Sequence, residues 1–149
     1  MKTKWMYFQL VILFLLLASC SSLTLVKSEY GDLPSKLVEG AVQITMTVTK
    51  QTASSLEVEI VNSGELEIVS GEYYHIEKFQ DDDWYVVPFQ DDTVFTDIGY
   101  LLESEGVKEL SIPLDQLAID LDEGLYRVSK EFWYDGQGYI IAAPFEIVH

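Results

Sequence analysis

Two acidic runs stand ten residues apart, Phe79-Gln80-Asp81-Asp82-Asp83 and Phe89-Gln90-Asp91-Asp92-Thr93. A hard cation such as calcium takes carboxylates of this kind, with six to eight oxygens converging within about 2.6 Å. The spacing is not that of a helix-loop-helix calcium loop. If Trp84 to Val87 is a strand, the two groups cap its opposite ends, about 13 Å apart, and point away from each other. Aspartates also solvate turns, and no metal site is assigned to the Asp81–Asp92 stretch. There are two histidines, His75 between Tyr74 and Ile76 and His149 at the end. That is a poor supply for a ligand set or a nucleophilic triad, and His75 reads as a strand residue. The glycines follow turns rather than opening a helix, so there is no phosphate loop. No catalytic residue and no cofactor is expected. The aromatics offer a different chemistry, stacking on a sugar or a peptide. Tyr73, Tyr74, Trp84, Tyr85, Trp133, Tyr134 and Tyr139 are dense for a small domain. Half of the residues in each strand of a sandwich face inward, so much of this set is core. Trp133, Tyr134 and Tyr139 flank the turn Asp135–Gly138 and are the candidate ligand surface.

The single cysteine, Cys20, closes Leu17-Ala18-Ser19-Cys20. Before it come the apolar run Leu10–Leu17 and then Lys2 and Lys4, the basic-apolar-small order of a secretory signal peptide over residues 1–19. Trp5–Ala18 spans 14 residues, short of the roughly 20 that cross a bilayer. A small-residue cut site directly before the cysteine resembles the lipobox of bacterial lipoproteins. The resemblance implies acylation of Cys20, cleavage just before it, and a lipid-anchored protein on the extracytoplasmic face of the cell membrane. One acyl chain holds a protein only marginally, and stable anchoring takes two or more such signals. The anchor would leave no thiol for a disulfide, a metal site or a nucleophile.

Removing residues 1–19 takes two of the nine basic residues and none of the 25 acids, for a net charge of about −18. Nucleic acid selects basic surfaces and is excluded as a partner. The expected partners are the membrane, through the lipid, and an unknown protein or glycan of the cell envelope.

Residues 20–40 read as a lipid-anchored tether, broken by Ser21, Ser22, Gly31, Pro34, Ser35 and Gly40. Residues 41–149 are enough for one domain with a core. Val42, Ile44, Met46 and Val48 alternate with polar residues and predict a half-buried strand. Leu56, Val58 and Ile60 predict a second strand, stopped by Asn62-Ser63-Gly64. Further strands are predicted at Tyr73–Phe79, Trp84–Val87, Lys108–Leu114, Leu125–Tyr134 and Tyr139–Val148, the last two joined by a Gly-rich hairpin turn. Leu114–Leu121 is the one stretch where a helical turn is expected. Seven antiparallel strands at even spacing argue for an all-β sandwich.

Asp122-Glu123-Gly124-Leu125-Tyr126-Arg127-Val128 resembles the tyrosine corner of immunoglobulin-like domains, where a tyrosine turns its hydroxyl back to the preceding backbone. Val128 stands where antibody domains keep a cysteine. Over residues 42–148 the order of motifs is similar to bacterial immunoglobulin-like domains of Gram-positive surface lipoproteins. It comprises Gly71–Lys78, Asp83–Pro88 around Trp84, Gly124-Leu125-Tyr126-Arg127, and Pro144–Ile147. The resemblance implies an immunoglobulin-like sandwich, structural roles for Gly124, Tyr126 and Trp84, and a non-catalytic binding or assembly module. The rival readings are a secreted-protease inhibitor presenting the segment Pro88–Gly106, and a glycan binder using the aromatic surface.

Overall fold

The structure, a computed structural model, describes residues 24–148. Eleven strands follow in chain order: β1 (Val26–Lys27), β2 (Lys36–Glu39), β3 (Val42–Gln51), β4 (Ser55–Asn62), β5 (Ile68–Gly71), β6 (His75–Gln80), β7 (Asp83–Val87), β8 (Gly99–Leu102), β9 (Val107–Pro113), β10 (Gly124–Tyr134) and β11 (Gln137–Ile147). All pairings are antiparallel.

β10 is the axis of a seven-stranded sheet. Along one edge it pairs with β11 from Gly124↔Ile147 to Tyr134↔Gln137. Its other edge is shared end to end, with β6 opposite Tyr126–Ser129 and β5 opposite Phe132–Trp133. The chain kinks between these two at residues 72–74. β8 extends the sheet beside β5, and β7 with β1 beside β6. The second sheet has the order β2-β3-β4-β9.

Side chains alternate across each strand, so one face of each sheet supplies the core. Val42, Ile44 and Met46 of β3, Leu56, Val58 and Ile60 of β4, and Ile112 of β9 meet Ile68, Ile76, Tyr126, Val128, Phe132, Ile141, Ala143 and Phe145 of the larger sheet. The result is an all-β immunoglobulin-like sandwich, with more strands than the seven read from sequence. β5 and β8 escape the periodicity because each is four residues long and carries a glycine, Gly71 or Gly99.

The described part of the expected tether is not free. β1 and β2 lie within it. Ser28 N–H donates to the Trp84 carbonyl (2.8 Å), Ala142 N–H to that of Pro34 (2.9 Å) and Met46 N–H to that of Ser35 (2.9 Å). The segment runs from β7 across the outer face of the larger sheet to the edge of β11, then joins the smaller sheet. It shows no period because main-chain bonds, not an alternating face, hold it. Leu114–Leu121 is not helical either. It holds one turn, with Leu117 N–H on the Leu114 carbonyl (3.2 Å), and an isolated bridge of Leu117 to Phe89. Residues 1–23, with Cys20 and the signal segment, and His149 lie outside the described residues.

Candidate functional site

Tyr126 sits on the inner face of β10 with its ring buried and stacked on Phe145 at 5.6 Å. Its hydroxyl donates to the Asp122 carboxylate (2.7 Å) and lies 3.1 Å from the Asp122 carbonyl. Lys78 pairs with the same carboxylate and, together with the Tyr126 hydroxyl, holds its pKa below the usual range. Gly124 has φ +152°, a conformation that L side chains rarely adopt.

Trp84 lies on the outer face of the larger sheet. Its ring carries the Arg127 guanidinium at 4.2 Å, and its indole N–H donates to Asp32 (3.2 Å). Arg127 is paired with Glu77, and both are buried. Arg127 also donates to the carbonyls of Gly31 (2.7 Å) and Tyr30 (3.3 Å), while the Ser28 hydroxyl donates to Glu77 (2.6 Å). The N-terminal segment thus closes over a polar seam. His75 Nδ1 and Ser129 Oγ, on residues opposite each other in this face, are buried without a partner. Burial lowers the pKa of His75.

The three aromatics of the candidate surface do not form one platform. Trp133 points outward and is 38% exposed. Its neighbour Tyr134 necessarily points the other way and packs against the core. Tyr139 pairs with the buried Phe132 and packs on that inner side as well. The adjacency of Trp133 and Tyr134 in the sequence was the signal for this split.

The aspartates are divided among separate tasks. Asp81 and Asp82, both with positive φ (51° and 62°), form the two-residue turn between β6 and β7. That is the backbone a tight hairpin of matching twist demands, and Asp tolerates it. Asp83 pairs with Lys27 at 2.7 Å. Asp91 and Asp92 lie in the connection after β7. Among the described residues, no three His, Cys, Asp or Glu side chains gather as a metal-ligand group. The segment Pro88–Gly106 is not one loop, since it contains β8. Its first part is pinned by Phe89 and Phe95, which meet each other and Tyr74 edge to face at 5.0–5.4 Å.

A cleft that the sequence did not reveal opens between β8 and β9. Each of these strands is paired on one edge only. The cleft has a volume of about 350 Å³ and walls of Tyr74, Phe95, Leu110, Ile112 and Pro113. Tyr100 and two lysines, Lys108 and Lys130, also line it. Lys130 is on the inner face of β10 and only 2% exposed. Its ammonium caps the kink between β5 and β6, at 2.7 Å from the Gly71 carbonyl and 2.9 Å from that of Tyr73. Burial pushes its pKa down to about 8. The Glu72 carboxylate is held by the hydroxyl and N–H of Thr96, which keep its pKa low. The Tyr100 hydroxyl is buried, and Tyr100 stands opposite Ser70 on the paired strand. Lys130 sits on the Val128/Phe132 face of an alternating strand, and a cation in that register was the available clue.

No curated protein matches the chain. Among solved structures, it is similar to the ASH/PapD-like domain of human CEP192 (PapD-like domain 7), with 15% identity, a TM-score of 0.34, and coverage of 81% of this chain and 96% of that one. A family model described as "Bacterial Ig-like domain" matches residues 39–146. The match takes in the strands β3 to β10, the Tyr126 turn and nearly all of β11, and the chain belongs to the bacterial Ig-like domain family.

Proposed function

We propose that the protein is a non-catalytic binding or assembly module of the bacterial cell envelope, held on the extracytoplasmic face of the membrane by lipid on Cys20. The observation that carries this is the order Leu17-Ala18-Ser19-Cys20 behind an apolar stretch, immediately ahead of an Ig-like domain. β1 begins six residues after Cys20, so the anchor would keep the domain close to the bilayer. No helix among the described residues is long and apolar enough to cross a membrane. The net charge of about −18 after cleavage opposes adhesion to anionic lipid, so covalent lipid has to supply the attachment. The partner would be a protein or glycan of the envelope. The inhibitor reading needs a projecting loop, and the segment after β7 is tied down by Phe89 and Phe95 instead.

Metabolic labelling with a fatty acid tests the anchor. The wild-type protein is expected to take label and fractionate with membranes. Cys20→Ala is expected to take none. An unlabelled wild type sinks the lipoprotein reading.

A further inference from the structure

The N-terminal segment crosses the outer face of the larger sheet and meets β11 at Ala142, opposite Ser129. Beyond that level the face is open, and its apolar side chains form a row. Trp133 of β10 stands opposite Val69 of β5, and Val69 stands opposite Leu101 of β8. Residues directly opposite share a face, so the row crosses three strands over about 10 Å. All three are exposed, from 38% for Trp133 to 53% for Leu101. Glycines flank the row. A Cβ at Gly138, opposite Trp133, would come within 2.8 Å of Glu131 Oε1 and 3.4 Å of Trp133 Nε1, and one at Gly99 within 3.3 Å of Val69 Cγ1.

Each member of the row has an exposed carboxylate two residues away along the chain: Glu67 for Val69, Glu103 for Leu101, and Glu131 and Asp135 for Trp133. Two residues is the spacing that returns an extended chain to the same face. Among the described residues, none of the four has a cation within ion-pair distance. An apolar centre holding a tryptophan, inside a charged rim, is the layout of a protein–protein interface. The sign of the rim selects what covers it. A second copy of this chain would set the same four acids against each other, and like charges so placed oppose binding. Anionic lipid is repelled in the same way. A neutral glycan would leave the four charges without a counterpart. We propose that this row docks a basic segment of an envelope protein, in which a large apolar residue is flanked by lysine or arginine. The apolar residue covers Trp133, Val69 and Leu101, and the flanking cations meet Glu67, Glu103, Glu131 and Asp135. The assignment names the partner class of the binding module proposed above and rests on that reading. It does not depend on the lipid, which fatty-acid labelling reads separately.

The test is titration by fluorescence anisotropy of the full chain, in phosphatidylcholine nanodiscs, against three labelled peptides. They are Lys-Leu-Lys-Phe-Lys-Leu-Lys, its counterpart with glycine at the apolar positions, and its counterpart with glutamate in place of lysine. The first is expected to bind at least about tenfold more tightly than either counterpart, since it alone matches both centre and rim. Trp133→Ala and Leu101→Gln are each expected to weaken it about tenfold, the loss of an interface anchor. Leu101 is the more exposed, so Leu101→Gln decides if Trp133→Ala lowers the melting temperature. Glu67→Gln with Glu103→Gln should weaken binding severalfold. Asp81→Asn with Asp82→Asn removes the same charge from a turn more than about 20 Å away along β10, well beyond the screening length, and should leave binding unchanged. Equal binding of the first two peptides, no binding of any, equal loss in the two charge variants, or wild-type binding by Leu101→Gln overturns the assignment. A dimer at sedimentation equilibrium that Leu101→Gln dissolves gives the face to a second copy and overturns it too. Triacetylchitotriose bound in place of the basic peptide, and lost in Trp133→Ala, overturns the basic partner while leaving the binding module standing.

Discussion

Arg127 and Glu77 face each other across β10 and β6 and form a buried ion pair that the N-terminal segment closes from above. Neither charge reaches solvent, with exposures of 2% and 0%. Removing one partner strands the other. Arg127→Met is expected to cost about 3–5 kcal/mol, whereas the double change Glu77→Leu with Arg127→Met costs less. Urea denaturation of the wild type and the two variants gives the comparison. Loss of the Arg127 bonds to Tyr30 and Gly31 should also expose Lys27 and Lys36 to trypsin. An Arg127→Met protein as stable and as resistant as wild type would show that the pair does not hold the segment.

Tyr126 and Gly124 give a second test. Tyr126→Phe removes the hydroxyl bond to Asp122 without opening a cavity, an expected loss of about 0.5–1.5 kcal/mol. Tyr126→Ala empties the site beside Phe145 and should cost about 3–5 kcal/mol. Gly124→Ala adds strain at φ +152° with room for the methyl, its nearest neighbour being Lys78 at 3.5 Å. It should therefore fall between the two. Equal midpoints for wild type and Tyr126→Phe would show that the hydroxyl contributes nothing.

These two pairs differ in how far the sequence could disclose them. Tyr126 bonds four residues upstream, so a local pattern carries it. Arg127 reaches Gly31, 96 positions away, and no spacing rule connects them. The long alternations of β3, β4 and β10 were legible because each places three or more apolar residues on one face. β1, β2, β5 and β8 were not, since two to four residues cannot establish a period. Asn62 was read only as a stop. In the fold it is fully buried, donating to the carbonyls of Leu66 and Glu103 and accepting from Gly64 N–H. The cleft was invisible because its members come from β8, β9, β10 and the connections before β6 and after β7, which share no motif.

Lys130 makes stability depend on pH. Its pKa is about 8 in the fold against 10.5 ordinarily, because burial disfavours the charged form. Between those values the unfolded chain holds a proton that the fold has released, so stability rises with pH over that window. Up to about pH 10 the gain is on the order of 2 kcal/mol. Above pH 10 the buried tyrosines act in the opposite direction, as Tyr74 is raised to about 12 and stays protonated in the fold when it ionises in the unfolded chain. Lys130→Met should lose the rise between pH 8 and 10. It should also be less stable near pH 7, where the carbonyls of Gly71 and Tyr73 lose their donor. Parallel stability profiles for the two proteins would contradict this reading of the buried ammonium.

The five aspartates between residues 81 and 92 supply the last test. Asp81 and Asp82 are consumed by the turn, and Asp83 is held by Lys27. Asp91 and Asp92 stand beyond the far end of β7, so their carboxylates add charge without adding ligands to the turn. Five like charges still repel, and any salt screens them. A calcium site would act differently, raising the melting temperature by mass action as the ion exceeds its dissociation constant. The expected result is that calcium chloride and sodium chloride raise the melting temperature equally at matched ionic strength. Asp82→Asn and Asp91→Asn should each lessen the salt effect slightly and to the same extent in both salts. A rise specific to calcium, abolished by either substitution, would mean that the two acidic groups converge in solution and that this end of the sandwich is a cation site.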